Sequence, residues 1–558
     1  MVKNILRFIH REITGLHQAA YLLGIFAFLS QVLALFRDRL FAYSFGASHS
    51  LDLYYVSFRI PDFIFASVAS VVSISVIIPF LVERMQRGEA EGKKFIDAVF
   101  SAFFIFIVSV SIIAFALIPY FIHIFFPSFG GADAAKLITM TRIVLLSPIF
   151  LGISNFFASI TQVHKRFFLY AISPLFYNIG IILGVIFLYP MFGLLGLSYG
   201  VVAGAFLHMA IQIPFLIEHK LFPRLSLRVH FQSIKEVALL SIPRTLTASS
   251  NEIAEFFLIS LASFMSAGSV SIFNFSFNLQ SVPLSIIGVS YSLAAFPALT
   301  RSFSAGNHSE FLDQMITSAK HIIFWSIPVA VLFIVLRAQI VRVILGTGRF
   351  DWNDTRLTAA SLALFAFSTI SQSLMLLFVR SYYARGKTIK PLIINFLSAG
   401  SVVFFGYLLS QFFLHESLAK HFIEVLLRVD GLSGTSVLVL PLAFSIGITI
   451  NMIIHWIDFQ FDFPAFTKPV FQTLFQSLSA SVLMGAVSYF CLNIFSNFFS
   501  LNTLSGVFLQ GFLAGIIGLV VCVVVLKLLG SIELQEVWDT LHRKFWKTKE
   551  IVIEETSV

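Results

Sequence analysis

Residues 30–61 read SQVLALFRDRLFAYSFGASHSLDLYYVSFRIP. Two strongly apolar segments meet there at a short turn, yet Arg37, Asp38, Arg39, Asp52 and Arg59 lie within them. At the centre of a membrane helix each such charge costs about 2.5–3.5 kcal/mol, and less near the ends. Charges kept in such a place face one another or an internal cavity, which makes this hairpin the first functional candidate. The plainer alternative has Arg37, Asp38 and Arg39 reaching from a helix end to the interface with their apolar stems along the helix. Arg59 suits that alternative less well, because it lies further inside its segment.

Outward from the hairpin the chain is apolar throughout. Its 558 residues are 58% hydrophobic and 12% charged, with a mean hydropathy of +0.91, which excludes a soluble globular protein. Apolar runs repeatedly reach the roughly 20 residues that cross a bilayer as helix. They are continuous rather than alternating, so helices are expected and not a barrel. The net charge of +9 then reads as Lys and Arg holding loops on the cytoplasmic side, and no nucleic-acid partner is implied. Cys491 and Cys522 sit in apolar runs with no metal-ligand spacing, and no disulfide framework is expected. Residues 1–17 lack the apolar core and cleavage site of a signal peptide. Ile5, Leu6, Ile9, Ile13 and Leu16 form a stripe opposite Lys3, Arg7 and Arg11, which predicts an amphipathic segment on the inner membrane surface.

About fourteen spans are expected, near 18–44, 52–82, 97–125, 135–162, 168–190, 193–218, 237–264, 269–299, 318–345, 356–381, 389–414, 436–458, 470–498 and 504–529. Lys and Arg concentrate in alternate loops, as in ERMQRGEAEGKK and RSYYARGKTIK, so both termini are placed in the cytoplasm. The longest inner linker, 219–235, separates a first six-helix bundle at 18–218 from a second at 236–460. A faint echo supports two halves: Asp52-Leu-Tyr-Tyr-Val-Ser-Phe-Arg-Ile60 lies on Ser271-Ile-Phe-Asn-Phe-Ser-Phe-Asn-Leu279. Residues 461–530 form a two-helix appendage, and 531–558 a basic amphipathic cytoplasmic tail. The fold class is all-α integral membrane.

No span carries a catalytic constellation, so the chain is read as no enzyme, with no cofactor or metal expected. His208 and His455 sit singly in apolar surroundings and are read as structural. What remains is polar groups inside spans: Gln31, Arg37, Asp38, Asp52, Arg59, Asp62, Arg142, Asn155 and Asn178 in the first bundle. The second bundle adds Arg244, Asn251, Glu252, Glu255, Asn274 and Asn278. Arginine is always charged and holds phosphate oxygens in a fork, so an arginine from each bundle facing one cavity suits an anionic substrate, above all a diphosphate. The competing reading pairs the charges internally, Arg59 with Asp52 or Asp62 and Arg244 with Glu252 or Glu255.

The hairpin FRDRLFAYSFGAS…DLYYVSFRIP resembles the signature of the lipid-linked murein precursor flippases, the MurJ or MviN family of the multidrug/oligosaccharidyl-lipid/polysaccharide exporter superfamily. FMSAGSVSIFNFSFNLQSVP, PALTRSFSAGNHSEF, YYARGKTIKP and the GTGRF turn at 346–350 add to the resemblance. It implies fourteen helices, two six-helix lobes around a central cationic cavity, and two C-terminal helices beside a lipid-sized groove. Arg37, Asp38, Asp52 and Arg59 match the family's charged positions. Departures are Gln31, Phe65, Ala66 and Asn278 where the family has arginines, and Ala69-Ser70-Val71-Val72 for its Ala-Glu-Gly-Ala run.

The expected activity is movement of a polyprenyl-diphosphate-linked saccharide, preferentially the lipid-linked peptidoglycan precursor (lipid II), across the bacterial inner membrane by alternating access. Arg37, Arg59 and Arg244 are assigned to the diphosphate and Asn278 to sugar or peptide. Asp38, Asp52, Asp62, Glu252 and Glu255 are assigned to charge pairing or gating. Partners are the lipid-linked glycan, membrane lipids and a coupling ion, unless the membrane potential drives transport. The alternatives are export of another lipid-linked oligosaccharide or of a drug-like cation, and a non-transporting membrane scaffold.

Overall fold

The computed structural model describes residues 16–68, 74–226, 231–414 and 418–546. Among these residues all regular structure is helical, with no strand. The expected surface segment at 1–17 lies outside them but for its last two residues, as do 547–558 of the tail.

Eleven helices among the described residues are long and apolar enough to cross a membrane by length and composition, and they fall on eleven of the expected spans. The other three, near 18–44, 52–82 and 237–264, each carry charges of the candidate site. Two of these are long helices, Leu16–Phe45 and Phe231–Ser263; the third contains helices His49–Ser57, Arg59–Ser67 and Ile74–Gln86, with 69–73 outside the described residues. The interruption at Phe58 has a local cause. Pro61 has no N–H to give to the carbonyl of Ser57, and its ring crowds that carbonyl, so the helix interrupts at Phe58.

The chain forms two compact units: Met1–Val282 with Ile344–Phe365 and Lys387–Asn451, and Pro283–Val343 with Ala366–Gly386 and Met452–Val558. In the first unit, helices Phe167–Leu183 and Leu194–Ala210 touch through glycine. A Cβ on Gly180 would lie 2.2 Å from the Cα of Gly204, and one on Gly200 would lie 2.5 Å from the Cα of Gly184. Small residues four apart let two membrane helices approach backbone to backbone. The GTGRF turn closes over the hairpin: Arg349 N–H donates to the Tyr43 carbonyl at 3.1 Å, and Asp354 accepts the Ala47 N–H at 3.1 Å.

The second unit has an aromatic core of Phe311, Phe378, Tyr382, Phe459 and Phe466. Beside it the guanidinium of Arg385 lies over Tyr382, Phe459 and Phe463 and reaches Asp462 at 2.5 Å. Helices Thr467–Phe495 and Leu504–Leu528 pack through small residues, with Ser488 against Gly518. The following helix, Ile532–Trp546, is docked by Glu533, whose buried carboxylate accepts from Thr473 at 2.7 Å and Ser531 at 2.9 Å, with Lys320 at 3.5 Å. Leu534 and Val537 pack on that bundle, while Trp538 is exposed.

Candidate functional site

The hairpin lies along one face of helix Ser269–Pro283. Ser271, Asn274 and Asn278 stand at i, i+3 and i+7, a spacing that puts them on a single helical stripe. Each bonds a different charged group of the hairpin. Asp52 takes the N-terminal end: its carboxylate accepts Gly268 N–H at 2.6 Å, Ser271 N–H at 2.8 Å and Ser271 Oγ–H at 2.6 Å. The helix start has unpaired N–H groups and a positive dipole end, and a carboxylate satisfies both. Gly268 makes the approach possible: it has φ +91°, and a Cβ there would lie 2.4 Å from the Ala47 carbonyl oxygen.

One turn on, Asn274 Oδ1 accepts from Arg59 Nη2 at 3.3 Å, while Arg59 Nη1 donates to Glu255 Oε2 at 3.2 Å. Asp62 and Glu252 lie within electrostatic reach of the same guanidinium. Another turn on, Asn278 Nδ2 donates to Asp38 Oδ2 at 3.0 Å. Asp38 Oδ1 accepts Arg37 Nε at 3.0 Å and Nη2 at 2.8 Å, and Arg37 Nη1 donates to Asn178 at 3.1 Å. Phe41, Tyr54 and Tyr55 shield these groups, Phe41 and Tyr54 meeting at 4.9 Å.

Of the residues selected from sequence, Arg37, Asp38 and Asn278 are therefore together, as are Arg59 and Glu255 with Glu252 and Asp62 beside them. Asp52 sits at the helix end with N–H and O–H partners. The side chain of Arg244 lies outside the described residues. Arg142 is elsewhere, its guanidinium 4.5 Å over Phe115. His208 bonds Ser154 through Nδ1 at 2.7 Å, a packing contact. Sequence reasoning missed Gly268 and Ser271 as the partners of Asp52; a backbone N–H has no sequence signature. It also missed the Arg385–Asp462 and Tyr382–Asp458 pairs, the latter at 2.6 Å. Among the described residues no group of three or more His, Cys, Asp or Glu is placed to hold a metal ion.

Chemically, the site presents guanidinium groups whose present partners are a carboxylate and an amide oxygen each. A phosphate oxygen offers the same acceptor geometry.

Two solved structures resemble this architecture. A lipid II flippase MurJ in an inward closed conformation superposes with a TM-score of 0.71 at 22% identity, covering 93% of this chain and 100% of that one. An inward-facing multidrug resistance MATE family transporter of the MOP superfamily gives 0.65 at 17% identity, covering 78% of this chain and 96% of that one. This chain shares its fold with both. The family model described as lipid II flippase MurJ matches residues 41–510, and the chain belongs to that family. A Burkholderia cenocepacia protein named lipid II flippase MurJ is 23% identical over 369 residues, 64% of this chain and 72% of its own. A Buchnera aphidicola relative, named probable lipid II flippase MurJ, is 25% identical over 405 residues, 71% of this chain and 78% of its own.

Proposed function

We propose that this protein moves lipid II from the inner to the outer leaflet of the bacterial cytoplasmic membrane. The family match over residues 41–510 carries this reading. The substrate diphosphate takes the place of the carboxylates on the guanidinium forks: Arg37 leaves Asp38 and Arg59 leaves Glu255, with Arg244 as the third cation. Both exchanges replace one charge-assisted partner by another, so neither strands an arginine in the membrane. Asn278 meets sugar or peptide, and Asp52 leaves its helix end to meet a cation during closure. The membrane potential or an ion gradient supplies the drive. Both termini face the cytoplasm, and fourteen spans form two six-helix lobes with a two-helix appendage.

The specific departures favour one second reading, transport of another lipid-linked oligosaccharide. Phe65, Ala66 and Asn278 stand where the resemblance implies arginines, and Asn278 serves Asp38 as a neutral donor. Rescue of a flippase-depleted bacterium separates the two. Growth restored by the wild-type gene, and not by Arg59→Ala, supports lipid II; accumulation of the folded protein without rescue points to the other glycan.

A further inference from the structure

The transport reading does not use the ten-residue helix Leu418–Leu427. At about 1.5 Å per residue it has half the length that crosses the hydrocarbon. Its exposed side is apolar: Leu418 is 91% exposed, Phe422 66%, Leu426 62% and Val425 50%. At 3.6 residues per turn these four fall within an arc of about 100°, a single stripe. The opposite side packs on the protein, with Leu427 buried and Ile423 and Glu424 half-buried.

Three membrane-crossing helices fix the level at which this helix sits. Helix Ile389–Leu414 ends four positions before Leu418, a stretch that the chain covers in at most about 14 Å. Glu424 Oε1 accepts from Thr435 Oγ1 at 2.5 Å, and Thr435 is the first residue of the crossing segment Thr435–Asp462. The Arg428 carbonyl accepts from Arg356 Nε at 3.1 Å and Nη2 at 2.5 Å, near the start of helix Trp352–Ala384. Trp352, which opens that helix, is itself exposed, as are Tyr407 and Phe412 on helix Ile389–Leu414. Trp and Tyr gather where hydrocarbon meets the headgroups.

Four large apolar side chains left in water are unfavourable, so something covers the stripe. None of the four donates or accepts a hydrogen bond through its side chain, whereas a protein interface carries about one hydrogen bond per 100–200 Å². The stripe also follows directly on the exposed apolar residues of a crossing helix, Phe404, Tyr407 and Phe412. Both features suit acyl chains.

We propose that helix Leu418–Leu427 lies in the headgroup layer of the leaflet at that end of the molecule, with Leu418, Phe422, Val425 and Leu426 against the acyl chains. It thereby ties the starts of two crossing helices to that leaflet. The proposal holds whichever lipid is transported and whichever side that end faces.

The test uses the full chain in phosphatidylcholine vesicles, with a nitroxide on Phe422→Cys or on Asp430→Cys, the latter at an exposed position beyond the helix. Cys491 and Cys522 are buried and stay in place, and the unsubstituted chain gives their labelling background. Collisions with oxygen, which concentrates among acyl chains, are compared with those of a water-soluble nickel chelate present on both sides. The label at 422 should lie about 5–10 Å into the boundary between headgroups and acyl chains and favour oxygen, and that at 430 should favour the chelate. Adding Leu418→Ser and Leu426→Ser should abolish the preference at 422. Thermal unfolding of every variant is followed in parallel, and Leu426→Cys replaces Phe422→Cys if the latter does not fold. A label on the stripe that favours the chelate as strongly as that at 430 overturns the proposal. Spin–spin broadening there also overturns it, by assigning the stripe to a second copy of this chain.

Discussion

Asp52 and Ser271 meet at 2.8 Å through the backbone N–H of Ser271 and at 2.6 Å through its hydroxyl, across 219 positions of sequence. They are also the first residues of the two segments that echo each other, 52–60 and 271–279. Asp52, Tyr55 and Arg59 share the i, i+3, i+7 spacing of Ser271, Asn274 and Asn278. The contacts of the second set are to Asp52, Arg59 and Asp38. The neutral stripe thus lies against Asp52 and Arg59 of the first segment and against Asp38 of the helix before it.

Removing the carboxylate strands two buried N–H groups at a helix start. Asp52→Ala is expected to cost roughly 1.5–3 kcal/mol, whereas Ser271→Ala removes one hydroxyl and costs about 0.5–1.5 kcal/mol. Thermal unfolding of the purified variants measures both. Equal midpoints for the two variants would show that the backbone donors add nothing.

Arg59 and Glu255 are coupled. Arg59→Ala leaves a carboxylate unpaired beside Glu252 and should destabilise the protein by about 3–5 kcal/mol, and Glu255→Ala added to it should recover much of that loss. Transport should be absent in both. A double variant no more stable than Arg59→Ala would mean that the pair is not a unit.

Much of this was legible in the residues themselves. Continuous apolar runs forecast the eleven long helices, because hydrocarbon demands length and internally paired backbone. The hairpin declared itself through charges that lipid penalises. The partners were less legible. Asp62 is three residues from Arg59 and was a natural choice on helical spacing, yet the ion pair is with Glu255, 196 positions away. Spacing along a chain reports local faces; which helix lies opposite is decided by packing such as that of Gly180 on Gly204.

Glu533 gives helix Ile532–Trp546 a pH dependence. Burial pushes its carboxyl up, but hydrogen bonds from Thr473 and Ser531 and the charge of Lys320 hold it below the usual carboxylate range. Its contribution is complete above the unfolded pKa, about 4.3, and is lost as pH falls through the depressed folded value. Trp538 fluorescence should therefore report docking that persists at neutral pH and loosens only in acid. Glu533→Gln should remove that transition; an unchanged acid transition in this variant would assign the loosening to another group.

Loop charge makes the topology testable. Single cysteines in 219–235 should resist an impermeant reagent in intact cells, while those in 346–356 and 416–434 should react. Labelling at 219–235 contradicts the cytoplasmic placement of the linker.

The central claim is that the guanidinium forks of Arg37 and Arg59 carry lipid II across the bilayer. Proteoliposomes holding the purified chain, fluorescent lipid II and an imposed membrane potential measure this directly through quenching by an external reductant. The account predicts that the protected inner-leaflet pool becomes accessible with the wild-type protein and stays protected with Arg37→Gln/Arg59→Gln. Movement no faster than in protein-free vesicles, or equal movement by the double variant, would contradict it.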